Sequence, residues 1–305
     1  MKSKIYPWKA ILSFLLVLFL MPLGHALMIL MENFMSENVL HLSAFLLGAL
    51  GVLITIIGIF SKGDTKQTLL GLIGGLLFWT GWIEFLLLYY ARRFGTMALL
   101  ADGSLMNYDK AVELGVEVAT KPEYLIMPAT FGFWAMFMLF YLFSVPTGCN
   151  FINWCQKVVF GNKKRKIVAQ PMIKHTALTT FMELNMLMWT CYLLLMFLYD
   201  DNFVGERSWI TIFVGVACFV GAIFIFVKQL KISSWGRNIR MAIATVIIFW
   251  TPVEILGRLN FFREIWTSPQ QYKSEMIGIL ISFIIVVAIV VVNGMVLNRH
   301  KIKSK

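Results

Sequence analysis

The sequence predicts an all-α integral membrane protein of eight transmembrane helices, built as a tandem 4+4 parallel repeat with both termini in the cytoplasm. Three observations carry this. Hydrophobic residues fill 59% of the 305 positions and charged residues only 14%, far from the balance of a soluble domain. The apolar residues gather into eight runs, each near the 20 or so residues that a membrane helix needs. A set of motifs also recurs about 170 residues apart in the two halves of the chain.

In order, the runs lie at 8–31, 39–60, 68–91, 125–147, 176–199, 208–228, 240–262 and 275–297. Each is too long for one strand, and none alternates as a barrel strand does. The first run follows a basic stretch, Met1 to Lys9, as a signal peptide does. It continues to Met31 and has a counterpart in the second half, so it is expected to remain as a span. Pro22, Pro128, Pro146 and Pro252 are expected to kink their spans. Gly48 and Gly51, and the cluster Gly71, Gly74 and Gly75, suit close approach between helices.

Basic residues set the orientation. With the N-terminus in the cytoplasm, 19 of the 27 Lys and Arg face inward, accompanied by one acidic residue, Asp64. Twelve of the 16 acidic residues then face outward. The net charge of +11 therefore points to the anionic leaflet rather than to nucleic acid. The run Lys163-Lys164-Arg165-Lys166 reads as a topology determinant within a basic cytoplasmic linker, 151–175. That linker separates a first repeat, 1–150, from a second, 176–305. The expected location is the inner membrane of a bacterium.

Four matches define the repeat. Glu32-Asn33-Phe34 with Glu37 corresponds to Asp201-Asn202-Phe203 with Glu206. Phe78-Trp79-Thr80-Gly81 leading to Ile83-Glu84 corresponds to Phe249-Trp250-Thr251-Pro252 leading to Val253-Glu254. Arg93 and Arg263 each follow those glutamates by nine residues. Thr120, Pro122 and Tyr124 correspond to Thr267, Pro269 and Tyr272. Four spans is an even number, so the halves insert in parallel about a pseudo-two-fold axis along the membrane normal. Glu84 and Glu254 are then expected at equal depth, in the outer half of spans three and seven. The halves differ in the polar outer loop 92–124, where Asn107 to Val118 reads as a short amphipathic helix. That helix either caps a central cavity or packs over the helices.

A carboxylate within a span is costly and marks a candidate site. Three are expected there: Glu84, Glu183 and Glu254. Arg258 lies one helical turn beyond Glu254 and is placed to pair with it or to reach Glu84. Glu183, near Asn185, has no polar match in the first half and reads as a proton relay or an inner gate, or else as a structural carboxyl. His25, Glu32 and His41 fall towards the outer end, and imidazole with carboxylate is a divalent-metal donor set. No Glu-x-x-His or His-x-x-x-His spacing accompanies them. The scattered histidines do not suit a haem. Met28, Met31, Met35, Met182 and Met186 read as core filling. Cys149, Cys155, Cys191 and Cys218 read as free thiols. Neither a phosphate-cradling glycine loop, nor a nucleophile elbow, nor a zincin motif is present.

The first functional reading is a transporter or channel-like protein. In it Glu84 and Glu254, with Arg258 and Glu183 nearby, bind a cation, a proton or a basic group of a small solute. The alternatives are a non-catalytic subunit or assembly factor of a membrane complex, and a membrane-embedded enzyme, with or without metal, acting near the outer leaflet. Expected partners are the bilayer, a small solute, ion or lipid, and a complex partner or a second copy.

Overall fold

The computed structural model describes residues 5–100, 102–116, 118–143, 157–158, 175–267 and 269–303. The structure is about 80% helical, and among the described residues seven helices are long and apolar enough to cross a membrane. It is accordingly an α-helical, multi-pass membrane protein.

Helix α1 runs Pro7–Phe34, with Pro7 in its first turn, where a missing N–H costs nothing. Helix α2 is Glu37–Phe60. The third span is continuous from Asp64 to Arg93 but changes its winding on the way. It comprises α3 (Asp64–Phe78), a π-helical turn (Trp79–Glu84) and α4 (Phe85–Arg93). Helix α5 (Tyr108–Glu113) and three short strands follow, β1 (Ala98–Leu100), β2 (Leu105–Met106) and β3 (Val118–Thr120), paired antiparallel in the order β2-β1-β3. Helix α6 (Pro122–Ile126) leads through a 3-10 turn, Met127–Thr130, into α7 (Phe131–Phe143). The second half holds α8 (Thr176–Tyr199), α9 (Trp209–Gln229), α10 (Trp235–Arg258) and α11 (Lys273–Lys303).

Four of these helices form the inside of the bundle. Helix α1 packs along α10 and α11, α8 packs along α3 and α10, and α3 meets α10. Helices α2 and α9 lie outside, on α3 and α10 respectively. The sequence accounts for this division. Helix α10 buries Ile239, Ile243, Val246 and Ile247, and α1 buries Leu16 and Val17. Helices α2, α9 and α11 instead leave Leu, Ile, Val and Phe exposed on most of their surface, which is the surface a lipid-facing helix needs. Small residues set the closest approaches. A Cβ on Gly71 would collide with the backbone carbonyl of Ala177 in α8, and one on Gly81 would lie 2.6 Å from the carbonyl oxygen of Ala44 in α2. Met28, Met31 and Met186 are core residues.

One end of the bundle, the cap end, carries the 94–121 segment. The opposite end is tied by polar contacts between the halves. Arg240, buried in the first turns of α10, binds Asp64 at 2.9 Å and Thr68 in α3. Beside it Gln229 donates to Asn238 at 2.9 Å and accepts from Thr245 at 3.0 Å. The Lys9 ammonium donates to the carbonyl of Ser233 at 2.6 Å. Arg240→Met is expected to cost about 1–2 kcal/mol, at the low end for a charged hydrogen bond because Asp64 stays half exposed. Thermal unfolding in detergent measures it.

Several boundaries differ from expectation. The seventh span, expected at 240–262, is Trp235–Arg258. It starts earlier because Arg240 is held inside the helix. It stops at Arg258 because Asn260 takes a left-handed φ of 60° while its N–H reaches Gly257 and that of Phe261 reaches Leu256, a Schellman ending. The amphipathic helix expected over 107–118 shrinks to α5. Gly115 at φ 66° and the Val116 to Ala111 hydrogen bond end it in the same way, and the chain continues as β3. The small sheet was not expected. The expected fourth span, 125–147, begins with two short turns and is described only as far as residue 143. Pro128 sits in the 3-10 turn, and Pro22 and Pro252 sit inside α1 and α10. Pro146, Cys149, Cys155 and the basic run 163–166 lie outside the described residues.

Candidate functional site

Towards the cap end the apolar helices enclose a polar cluster. Glu84 is the last residue of the π turn and so sits where the backbone changes winding. Such turns recur at functional sites. His25 of α1 faces it, with Nδ1 3.4 Å from Glu84 Oε1 and 3.3 Å from the Tyr124 hydroxyl. Tyr124 is delivered by α6, which Pro122 opens and which rests against α4. The rings continue inward as a column. Tyr124 stacks on His25 at 6.4 Å and on Tyr192 of α8 at 6.2 Å, and Tyr192 stacks on Trp79 at 5.8 Å.

Glu254 approaches from α10. Its Oε1 accepts a hydrogen bond from Trp250 Nε1 at 2.6 Å, one helical turn back, and Trp250 packs on Trp266 at 4.8 Å. Two small cavities lie along the ring column. One, of about 20 Å³, is lined by Glu84, Glu123, Tyr124 and Tyr192 among others. The next, of about 10 Å³, is bounded by Tyr192, Cys191, Thr251 and Trp250 with apolar neighbours. Each has room for about one water molecule.

The groups around the cluster record its field. Burial pushes the Tyr124 phenol well above its ordinary range, and Glu84, Tyr192, Glu123 and Glu254 add to that in turn. Glu84 and Glu254 therefore both act on one phenol. Glu264, in the segment after α10, is raised to about 7, by burial first and then by Glu254, with His25 and Arg258 opposing. Glu123 is raised by burial, opposed by its neighbour Lys121. The Glu264 shift fixes a pH dependence. A carboxyl raised in the fold binds its proton more tightly there than in the unfolded chain. Its stabilising contribution is complete below about 4.5 and is lost as pH rises through about 7. The melting temperature is expected to fall across that window, and Glu264→Gln is expected to flatten the fall.

The expected residues are only partly gathered. His25 and Glu84 touch, and Glu254 shares their surroundings. Arg258 does not form the ion pair expected with Glu254. It pairs with Glu206 at 2.8 Å, donates to Thr120 of β3, and lies 4.8 Å over the Tyr199 ring. Thr211 holds the turn that carries Glu206, donating to the carbonyl of Gly205 at 2.7 Å. Arg258 thus clamps the 94–121 segment of the first half onto the second. Glu183 is buried in α8 two helical turns from Cys191, roughly 12 Å along the axis at 1.5 Å per residue. Glu32 and His41 line one groove at the cap end, while His25 lies apart with Glu84. Glu32 faces Arg92 at 3.9 Å, and His41 lies edge-on to Tyr89 at 5.0 Å. Among the described residues no three His, Cys, Asp or Glu are placed to hold a metal ion.

No family model, curated protein or solved structure matches this chain. Function is therefore read from the site itself. Sequence reasoning missed Tyr192, Trp250, Glu123 and Glu264. Trp250 was legible as the indole one turn before Glu254, whereas Tyr192 is one aromatic among many in an apolar helix and carried no signal.

Proposed function

We propose that this protein is a membrane transporter or channel-like protein in which Glu84, Glu254 and His25 bind and release a proton. The observation that carries the reading is the His25–Glu84 contact beside Glu254, inside helices that are otherwise apolar. Ionisable groups at such a place are expensive and are kept where charge must move. The cavities beside them hold about one water each, so the smallest cargo, a proton carried on water and side chains, suits them best. Tyr192 links the two cavities. Thr251 and Cys191 continue the line towards Glu183, which takes the part of an inner relay.

The duplication supports the same reading. Helix α1 packs on α10 of the other half, and α8 packs reciprocally on α3. Helices α2 and α9 cover equivalent flanks. The third helix of the first half turns π-helical at the motif, and the third helix of the second half carries Pro252 there within a continuous α-helix. The first motif also has one residue more between its Phe and its Glu, Phe78 to Glu84 against Phe249 to Glu254. A π turn, with its i→i+5 bonding, absorbs one extra residue without rotating the helix beyond it. Glu84 thereby keeps the aspect of Glu254. In the eight-span topology the cap end and its carboxylates face outward and both termini face the cytoplasm of a bacterium.

The test is proton flux. The purified chain is placed in vesicles holding a pH-sensitive dye, and a potassium-diffusion potential is imposed. Potential-driven acidification is expected with the wild-type chain and not with Glu254→Gln. Equal flux in both, with only the melting temperature changed, makes the carboxylates structural and overturns the reading.

A further inference from the structure

A second site lies on the other side of α4 from Glu84, and its chemistry differs. At the cap end, α1, α2 and α4 enclose a groove of about 540 Å³, within the range of ligand pockets. Its floor is apolar, formed by buried Leu40, Phe85 and Leu88. Its charges are sorted by wall. Glu32 near the end of α1 and Glu37 at the start of α2 stand on one side, and Arg92 and Arg93 in the last turn of α4 stand on the other. Glu32 is partly neutralised, by Arg92 and by the charge of Lys121. Arg92 and Glu32 are 3.9 Å apart, beyond hydrogen-bond range, and Glu37 makes no ion pair among the described residues. Arg93 donates to the Tyr89 hydroxyl at 2.8 Å, which aims its guanidinium over the groove wall. Between the walls stand the rings of His41 and Tyr89, edge to face at 5.0 Å.

We propose that this groove binds the headgroup of a zwitterionic phospholipid of the phosphoethanolamine type, its phosphate on Arg92 and Arg93 and its ammonium on Glu32 and Glu37. Arginine pairs suit phosphate oxygens, and an ammonium donates charge-assisted hydrogen bonds to carboxylates. The ligand is a lipid because an apolar track leads away from the groove along the helices. Leu42, Phe45 and Leu46 of α2 and Leu86 of α4 are exposed there, as an acyl chain requires. A primary amine can donate hydrogen bonds to both carboxylates, and a choline group cannot. A lipid with phosphate but no amine meets Glu32 and Glu37 as repulsion. The site is independent of the proton reading of the central cluster.

The experiment uses the full chain, delipidated in detergent and offered phosphatidylethanolamine, phosphatidylglycerol and phosphatidylcholine in equal amounts. Bound lipid is counted by native mass spectrometry. Phosphatidylethanolamine is expected to be retained about tenfold over the other two, and Arg92→Gln with Arg93→Gln is expected to lower its retention about tenfold or more. Glu32→Gln with Glu37→Gln is expected to keep phosphate binding and to let phosphatidylglycerol bind as well as phosphatidylethanolamine. Soluble glycerophosphoethanolamine is expected to bind at least about tenfold more weakly than the lipid, because it lacks the acyl contacts. Equal retention of the three lipids by the wild-type chain overturns the site. Equal binding of the soluble headgroup and the lipid overturns the lipid as its occupant. If both double variants fail to fold, the wild-type preference among the three lipids decides.

Discussion

Vesicles carrying Glu84→Gln are expected to pass protons about a hundredfold more slowly than wild type, the scale of loss when a positioned acid–base group is removed. Gln keeps the volume of Glu and a carbonyl oxygen that His25 and Tyr124 can still approach, so the packing of the π turn survives. What it loses is titration. The melting temperature is expected to hold or rise slightly, because a neutral amide is cheaper to bury than a carboxylate. Glu254→Gln acts at the other carboxylate and is expected to be as severe for flux. It is also expected to cost some stability, because the amide accepts less strongly from Trp250 than the carboxylate does at 2.6 Å. The double variant is expected to be no worse than either single one, since groups in one relay fail together. Flux measured with an internal dye, alongside thermal unfolding of the same preparations, separates loss of function from loss of fold.

Gly71→Leu is expected to be the most damaging single change to the fold. The glycine lies where α3 crosses the start of α8, and the atom that any Cβ would strike is the backbone carbonyl oxygen of Ala177. A flexible side chain can step aside, but a carbonyl inside a helix cannot move without its helix. Overpacking of this kind costs about 3 kcal/mol or more, a large part of ordinary stability. Separating α3 from α8 also moves Trp79 from Tyr192, so the central cluster loosens with the packing. Gly71→Ala is expected to be milder but still destabilising. Melting temperature and yield of monodisperse protein measure both. An unaltered melting temperature for Gly71→Leu contradicts the close crossing.

The helices were legible because twenty apolar residues in a row have few other fates. The runs at 39–60 and 176–199 match α2 and α8 to within two residues at each end. The glycine crossings were legible from Gly71, Gly74 and Gly75. The ends of α10 were not, because the sequence reads Arg240 as a loop charge and does not reveal Asp64 and Thr68 as its partners across 170 residues. The π turn was also hidden. In the proposed repeat it answers to one extra residue in the first FWT motif, which shows only when the two halves are aligned residue by residue. In the site, Glu84 and Glu254 stood out as charges in apolar runs, and His25 as a lone imidazole. For Arg258, helical spacing points to Glu254, while its contacts with Glu206, Thr120 and Tyr199 come from distant segments. Those partners come from loops whose course leaves no period in the sequence.

The central claim is that Glu84 and Glu254 take up and release protons. Infrared difference spectra of the reconstituted protein, recorded between acid and neutral pH, test it most directly through the carbonyl band of protonated carboxyls. The wild type is expected to show such bands vanishing as the pH rises, those of Glu84 and Glu254 among them. Glu84→Gln and Glu254→Gln are each expected to remove one band. Difference spectra in which both variants keep every wild-type carboxyl band, unshifted in pH, contradict the account.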